Sequence, residues 1–302
     1  MRKAKIYDAI VIGGSYAGLS AAMTLGRSLR NVLIIDSGMP CNWQTPHSHN
    51  FLTQDGKTPF EIATLAKQQV AQYKTVEFCD DFVIVGEIVQ ESFALQTKAG
   101  ANFTAKKLIF ATGIRDIMPD IKGFSACWGI SVIHCPYCHG YEFRHQKTGL
   151  IANGDRAMHL ASLVHNLTDS LCILTTGKAD FQEEQFLKLK KNGIEVITTK
   201  IAEIVHEAGH VQEVIFEDGA RQNFDAVYAV IPFVQHSDIP AALGCELTEQ
   251  GHIKVDGFQK TTIPGIYACG DSVIMMRSVA SAVSSGNLTG AMVNMELTKE
   301  RF

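Results

Sequence analysis

Two cysteines stand three apart in the run His134-Cys135-Pro136-Tyr137-Cys138-His139, and this spacing is the strongest chemical signal in the chain. Such a pair can close a strained, reducible disulfide, and a cysteine at a helix start reacts as its thiolate. Histidines flank the pair, and an ordinary imidazole pKa of about 6.5 suits proton transfer near neutrality. His139, directly after Cys138, is the candidate proton-transfer group. The same letters allow other chemistry. Cys-x-x-Cys-His is the haem c attachment pattern, which requires export. Zinc would need two more ligands at similar spacing, and the chain has no second Cys-x-x-Cys. No metal is therefore expected; a purely structural pair is the remaining alternative. The other six cysteines (Cys41, Cys79, Cys127, Cys172, Cys245 and Cys269) are scattered singly, as ordinary buried cysteines are.

A pair of this kind needs an electron partner, and the start of the chain offers one. Tyr7 to Ile12 reads as a buried strand, Gly13-Gly14-Ser15-Tyr16-Ala17-Gly18 as a tight turn, Leu19 to Leu29 as a helix, and Asn31 to Ile35 as a second strand ending at Asp36. This is the order of a Rossmann βαβ unit. Gly13 permits the turn, Gly18 lets helix and strand pack closely, and the N–H groups at the helix start face a pyrophosphate. Asp36 can accept hydrogen bonds from ribose hydroxyls. Ser15 stands where the middle glycine is usual. Two later strand ends repeat the theme: Lys107 to Phe110 runs into Ala111-Thr112-Gly113, and Gly265 to Cys269 runs into Gly270-Asp271. An aspartate at that last turn can hold the middle of a long cofactor, helped by the next helix start.

The 302 residues favour two compact domains. With 46% hydrophobic residues and only 19% charged, both cores can be filled. A net charge of −4 without a basic run argues against nucleic acid or anionic membrane as partner. Met1-Arg2-Lys3-Ala4-Lys5 is basic, but Asp8 and the glycines break the following apolar stretch, so a strand and turn explain it better than an export signal. No apolar run approaches the ~18 residues of a membrane span. A cytoplasmic protein is expected.

Taken together, the Gly13–Gly18 turn, Ala111-Thr112-Gly113, Trp128-Gly129 before Cys135-Pro136-Tyr137-Cys138, and Gly265 to Asp271 followed by Arg277 resemble the low-molecular-weight thioredoxin reductases over nearly the whole chain. The resemblance implies an α/β fold of two Rossmann-like, three-layer ββα domains, the second inserted into the first. Residues 1–114 and 246–302 would bind FAD; residues 115–245 would form the inserted, NAD(P)H-like domain with the cysteine pair. It implies a homodimer, with Cys138 as the flavin-facing thiol and Cys135 as the one that exchanges with substrate. Candidate FAD contacts are Gly13, Gly14, Ser15, Tyr16, Ala17, Gly18, Asp36, Ser37, Asn50, Ala111, Thr112, Gly113, Gly270, Asp271, Ser278 and Val279. Asn50 enters because the family places an Asn-Phe pair near the flavin, here Asn50-Phe51. Its neighbours His47 and His49 read more readily as solvent-facing loop residues.

The departures narrow the function. His139 stands where the family has an aspartate. The second βαβ turn reads Ala152-Asn153-Gly154-Asp155-Arg156-Ala157, without the first glycine, and Leu171 to Leu174 is followed by Thr175-Thr176-Gly177-Lys178 instead of arginines. The family's later glycine-containing turn is replaced by Ile231-Pro232-Phe233-Val234-Gln235-His236. NADPH is therefore doubtful as electron donor. The Cys-Pro-Tyr-Cys-His-Gly-Tyr-Glu run and the Gly-Gly-Ser-Tyr-Ala-Gly start are similar to the gliotoxin oxidase-like dithiol oxidases. Three classes stay open: a dithiol oxidase or reductase fed by another donor, an NADPH-dependent thioredoxin reductase, and a non-catalytic flavin-bound redox sensor. The partner would be a small dithiol or disulfide molecule or a thioredoxin-like protein.

Overall fold

The computed structural model describes residues 5–302; the start of the basic run, Met1–Ala4, lies outside them. Along the chain come β1 (Ile6–Ile12), α1 (Tyr16–Arg27), β2 (Val32–Asp36), α2 (Pro59–Val70), β3 (Val76–Asp80), β4 (Val83–Val89), β5 (Ser92–Thr97), β6 (Asn102–Phe110) and β7 (Ile114–Asp116). Then follow α3 (Phe124–Cys127), β8 (Val132–Ile133), α4 (Pro136–His139), β9 (Thr148–Ile151), α5 (Gly154–Val164), β10 (Leu171–Leu174), α6 (Glu183–Lys191) and β11 (Glu195–Ile197). The antiparallel strands β12 (Ile201–Glu207), β13 (His210–Phe216) and β14 (Arg221–Asn223) precede β15 (Ala226–Ala229). β16 (Phe233–Gln235), α7 (Ile239–Ala242), β17 (Ile266–Ala268) and α8 (Val279–Lys299) close the chain.

The described residues form two compact units, one of residues 5–43, 51–115 and 233–302, the other of residues 44–50 and 116–232. The second return falls at Phe233, earlier than the 246 expected, because Ile239, Leu243 and Cys245 already pack into the first unit's core. A second correction concerns Gln44–Asn50, which groups with the second unit although its neighbours on both sides belong to the first.

The first unit is built on a sheet of order β3-β2-β1-β6, parallel throughout, continued by the antiparallel β5 and β4, with β17 also parallel to β6. Alternation divides each central strand between two layers. Ala9, Val11, Val32 and Ile34 face α1, α2 and α8, while Tyr7, Ile10, Leu33 and Ile35 face the opposite layer with Phe93, Leu95 and Ile239. The strands are buried on both faces, so they read as continuous apolar runs. The second unit repeats the plan. A parallel sheet of order β11-β10-β9-β15-β8 turns Leu171 and Ile173 toward α5 and α6, and Cys172 and Leu174 toward the antiparallel β12-β13-β14 layer. Both units thus have the three-layer arrangement expected. Among the described residues, no helix is long and apolar enough to cross a membrane.

A buried ion cluster fixes the end of α8 in the first unit. Lys107, 8% exposed at its side chain, bonds to Glu296 at 2.6 Å and also to Glu300. Glu296 accepts from the Tyr267 hydroxyl at 2.7 Å and from Lys260. Burial pushes the Glu296 carboxyl up, but the bonds from Lys107, Lys260 and Tyr267 outweigh it and hold the group down at about 2. A depressed carboxylate contributes stability above its unfolded pKa and loses it as pH falls through the folded one. Discounted for solvent screening of the partly exposed partners, that contribution is on the order of 1 kcal/mol, lost as pH falls from 4.5 toward 2. Urea unfolding should therefore show Glu296→Gln less stable than wild type at pH 7, with the gap closing toward pH 2. A gap that does not change with pH would show that the cluster's ionisation contributes nothing.

Candidate active site

Cys135 is the N-cap of α4, and its sulfur accepts from the Cys138 N–H at 3.2 Å. Pro136 at the first helical position presets the backbone for this single turn. The two sulfurs lie 2.6 Å apart, within easy reach of a disulfide. Both cysteines are half-buried. The turn is seated closely: a Cβ on Gly140 would lie 2.3 Å from the Pro136 carbonyl and 2.9 Å from the Tyr228 hydroxyl. Burial moves Tyr228 upward, followed by the charges of Cys135 and Glu142. This phenol, 1% exposed on β15, stays protonated beneath the pair. His139 is lowered by burial; Glu142 pulls it back up, and His49 lowers it again. A neutral imidazole beside the pair is a proton acceptor at neutral pH.

The remaining cysteines contrast with this. Burial pushes Cys127 up to about 11, and Cys172 and Cys269 up to about 12, so these stay inert thiols. Cys41 departs from expectation: it is exposed, with its sulfur 3.8 Å from Asp271 Oδ2. His49 departs too. It is half-buried, 3.5 Å from Glu142, whereas His47 is exposed as expected.

The nucleotide residues gather at one edge of the first unit's sheet. Ile12 pairs with Ile35 and with Phe110, and Phe110 pairs with Ala268, so the carboxyl ends of four parallel strands align. Ligands of open α/β sheets bind at this edge. Gly13 has φ 106°, and a Cβ there would lie 2.3 Å from the Ala111 carbonyl; one on Gly18 would lie 1.9 Å from the Gly13 carbonyl. These two positions can only be glycine. Ser15 is the N-cap of α1 but makes no side-chain cap bond, and the first turn carries no acid. Tyr16 and Ala17 are buried behind it, with the Tyr16 hydroxyl donating to the Pro59 carbonyl at 3.1 Å. Asp36 Oδ1 accepts from the Gly14 N–H at 2.9 Å, which orients the carboxylate at the strand end. Ser37 beside it is exposed.

Thr112 Oγ1 is buried with no hydrogen-bond partner among the described residues, and Gly113 has open space around it. Gly270 donates to Ser285 Oγ at 3.0 Å, a support the sequence did not single out. Asp271 Oδ2 lies 3.6 Å from Arg277 Nε. Ser278 caps the 21-residue α8, accepting from the Ser281 N–H at 3.1 Å, and Val279 is buried behind it. Asn50 is the exception: it lies in the segment that groups with the second unit. Bare backbone, uncapped helix N–H groups, an oriented carboxylate and an orphaned hydroxyl suit a dinucleotide with a pyrophosphate, and so fit FAD.

The second unit's corresponding turn is closed on itself. Asn153 caps α5 with its side chain: Oδ1 accepts from Gly154 N at 2.9 Å and from Asp180 N at 2.8 Å. Its amide donates to the Lys178 carbonyl at 2.9 Å. Asp155 occupies the first helical turn and is held by Gln185 at 2.8 Å. The Thr175 hydroxyl is taken by the Gly177 carbonyl at 2.6 Å.

Comparison with known proteins agrees with this architecture. The family model described as pyridine nucleotide-disulphide oxidoreductase matches residues 7–286. A thioredoxin reductase of Claviceps purpurea, tcpT, is 32% identical, the match covering 98% of this chain and 96% of its own. Another from Leptosphaeria maculans, sirT, is 31% identical over 96% of this chain and 94% of its own. An oxidoreductase from Agrobacterium tumefaciens superposes with a TM-score of 0.92 at 36% identity, covering 98% of this chain and 99% of its own.

Proposed function

The chain belongs to the pyridine nucleotide-disulphide oxidoreductase family, as a thioredoxin reductase-like FAD enzyme, and on that premise we propose that it oxidises a small dithiol to its disulfide through Cys135 and Cys138, making little use of NADPH. The observation that carries the reading is the pair itself: two sulfurs 2.6 Å apart at a helix start, with a half-buried histidine of lowered pKa following directly. The second turn, filled by its own asparagine, supports the oxidative direction over hydride transfer from NADPH.

The steps balance as follows. A substrate thiolate attacks Cys135 Sγ, the Cys135–Cys138 bond breaks, and Cys138 leaves as thiolate with the electron pair. The second substrate thiol gives its proton to His139, and its sulfur attacks the first substrate sulfur. That releases the cyclic disulfide and leaves Cys135 as thiolate. Cys138 then passes the electron pair on as the cysteine disulfide re-forms. FAD, when bound, would supply a two-electron acceptor able to pass the electrons to oxygen as hydrogen peroxide. The side chains of Gly14-oriented Asp36, Thr112 and Asp271 would hold the cofactor, and Gly13 and Gly18 keep the backbone bare around it.

The relatives' names favour a second reading, an NADPH-dependent reductase of a thioredoxin-like protein. In either case the enzyme works as a homodimer in the cytoplasm; Leu52, Phe60, Met275 and Met276 of the first unit are large exposed apolar side chains consistent with a covered surface. The test is direct. Purified protein should be yellow with about one FAD per chain; dithiothreitol under argon should bleach it, and air should restore the colour with peroxide formed. A protein that takes up no FAD, or whose flavin ignores dithiols, overturns the proposal.

A further inference from the structure

The second unit brings two more titratable side chains to the cysteine turn, from separate pieces of chain. Glu142 follows α4 directly. His49 arrives on Gln44–Asn50, which the Gln44 amide ties to the Trp128 carbonyl and whose Ser48 is buried. His49 Nε2 lies 3.5 Å from Glu142 Oε1, with side chains 21% and 38% exposed, so solvent only partly screens them. We propose that Glu142 and His49 are positioning residues for His139: the Glu142 carboxylate stabilises the proton that His139 takes from a substrate thiol, and His49, paired to the same carboxylate, limits how far it does so. The inference rests on the reading above that His139 handles the thiol proton.

The two act in opposite senses, which makes the arrangement adjustable. Burial disfavours the imidazolium, the Glu142 charge favours it, and His49 disfavours it when charged. Other titratable groups at this turn are Cys135 and Cys138 in α4, His134 just before it, the Tyr228 hydroxyl from β15, and His47, whose ring lies 6.4 Å from that of His49. Cys135 and Cys138 carry negative charge only while the disulfide is open and Tyr228 is held protonated, so Glu142 is the carboxylate that acts on His139 throughout the cycle. Glu142 thus stabilises a proton on His139 through its fixed charge, and the Gln44–Asn50 segment is the element that tunes it.

The experiment follows dithiothreitol reduction of the FAD-loaded protein under argon across pH, beside an NMR titration of the His139 ring, assigned by its loss in His139→Ala. A base must be neutral to accept a proton, so lowering its pKa moves the acid limb to lower pH. Glu142→Gln should shift both the limb and the ring titration to lower pH and slow reduction about tenfold at neutrality. His49→Asn should shift both to higher pH, and the double variant should fall between. Titrations that stay in place, or that move in the same direction in both single variants, overturn the inference. If Glu142→Gln loses its fold, His49→Asn alone decides the direction. If dithiothreitol never reduces the wild-type flavin, the proposed function fails, while the NMR titration still reads the His49–Glu142–His139 coupling.

Discussion

Cys135→Ser is expected to abolish dithiol oxidation, with turnover falling on the order of ten-thousand-fold while FAD content is unchanged. The size follows from the chemistry: two electrons leave the substrate through a bond between two sulfurs, and a serine oxygen cannot form or release that bond. Cys138→Ser should be equally inactive, yet the two variants should differ in colour. With Cys135 gone, Cys138 remains as a lone thiolate able to donate charge to bound FAD, giving a broad absorbance band at long wavelength. With Cys138 gone, that band should be absent. The opposite pattern would exchange the roles of the two cysteines. Either variant retaining wild-type turnover would show that the flavin oxidises the dithiol without the pair.

NADPH should bind at least 100-fold more weakly than a conventional second site would hold it, and should leave the flavin oxidised under argon when dithiothreitol bleaches it. A 2′-phosphate needs guanidinium or ammonium partners. Beyond β10 the chain offers Thr175, Thr176 and Gly177, with only the exposed Lys178 nearby, and the Lys178 carbonyl is engaged by Asn153. A pyrophosphate needs the N–H groups at the start of α5, but the Gly154 N–H is bonded to Asn153 Oδ1 at 2.9 Å. Asp155 in the first turn, exposed at the helix start, repels an anion as well. Losing one charged pair and the turn's fit amounts to ~3 kcal/mol, more than 100-fold in affinity. Arg156, exposed in the same turn, is a cation placed to offset this. Bleaching within milliseconds by micromolar NADPH would defeat the prediction and establish the reductase.

The first unit's cradle was legible because its requirements are steric. Gly13 and Gly18 have no room for a Cβ, and a strand, turn, helix and terminal acid in sequence leave few other solutions. The helix nevertheless starts at Tyr16, not Leu19: its first turn lies inside the glycine run, where no apolar period can be seen. Leu171–Leu174 was read with its true bounds because four consecutive apolar residues buried on both faces leave no ambiguity. The return to the first unit at Phe233 was not legible: a three-residue strand and the single turn Ile239–Ala242 carry neither a period nor a shift in composition. The sequence shows Asn153 only as part of a turn lacking its first glycine; its role as helix cap and its bonds to Lys178 and Asp180 depend on a loop that only the folded sheet brings near. His49 reads as a loop histidine for the same reason; its partner Glu142 is distant in sequence, and the two meet only because Gln44–Asn50 folds with the second unit.

The placement of Gln44–Asn50 also bears on how the protein is made. The chain passes between its two units after residues 43, 50, 115 and 232. As it leaves the ribosome, this short segment is synthesised well before Trp128 and Glu142, the residues it settles on, and must wait for them. The first unit waits longer still, because β6 lacks β17, and α1 lacks α8, until the last part of the chain emerges. Neither unit is therefore a contiguous module that folds as soon as its own stretch appears. Both are completed by long-range closure, which makes folding slow and leaves apolar strand faces open to chaperones in the meantime.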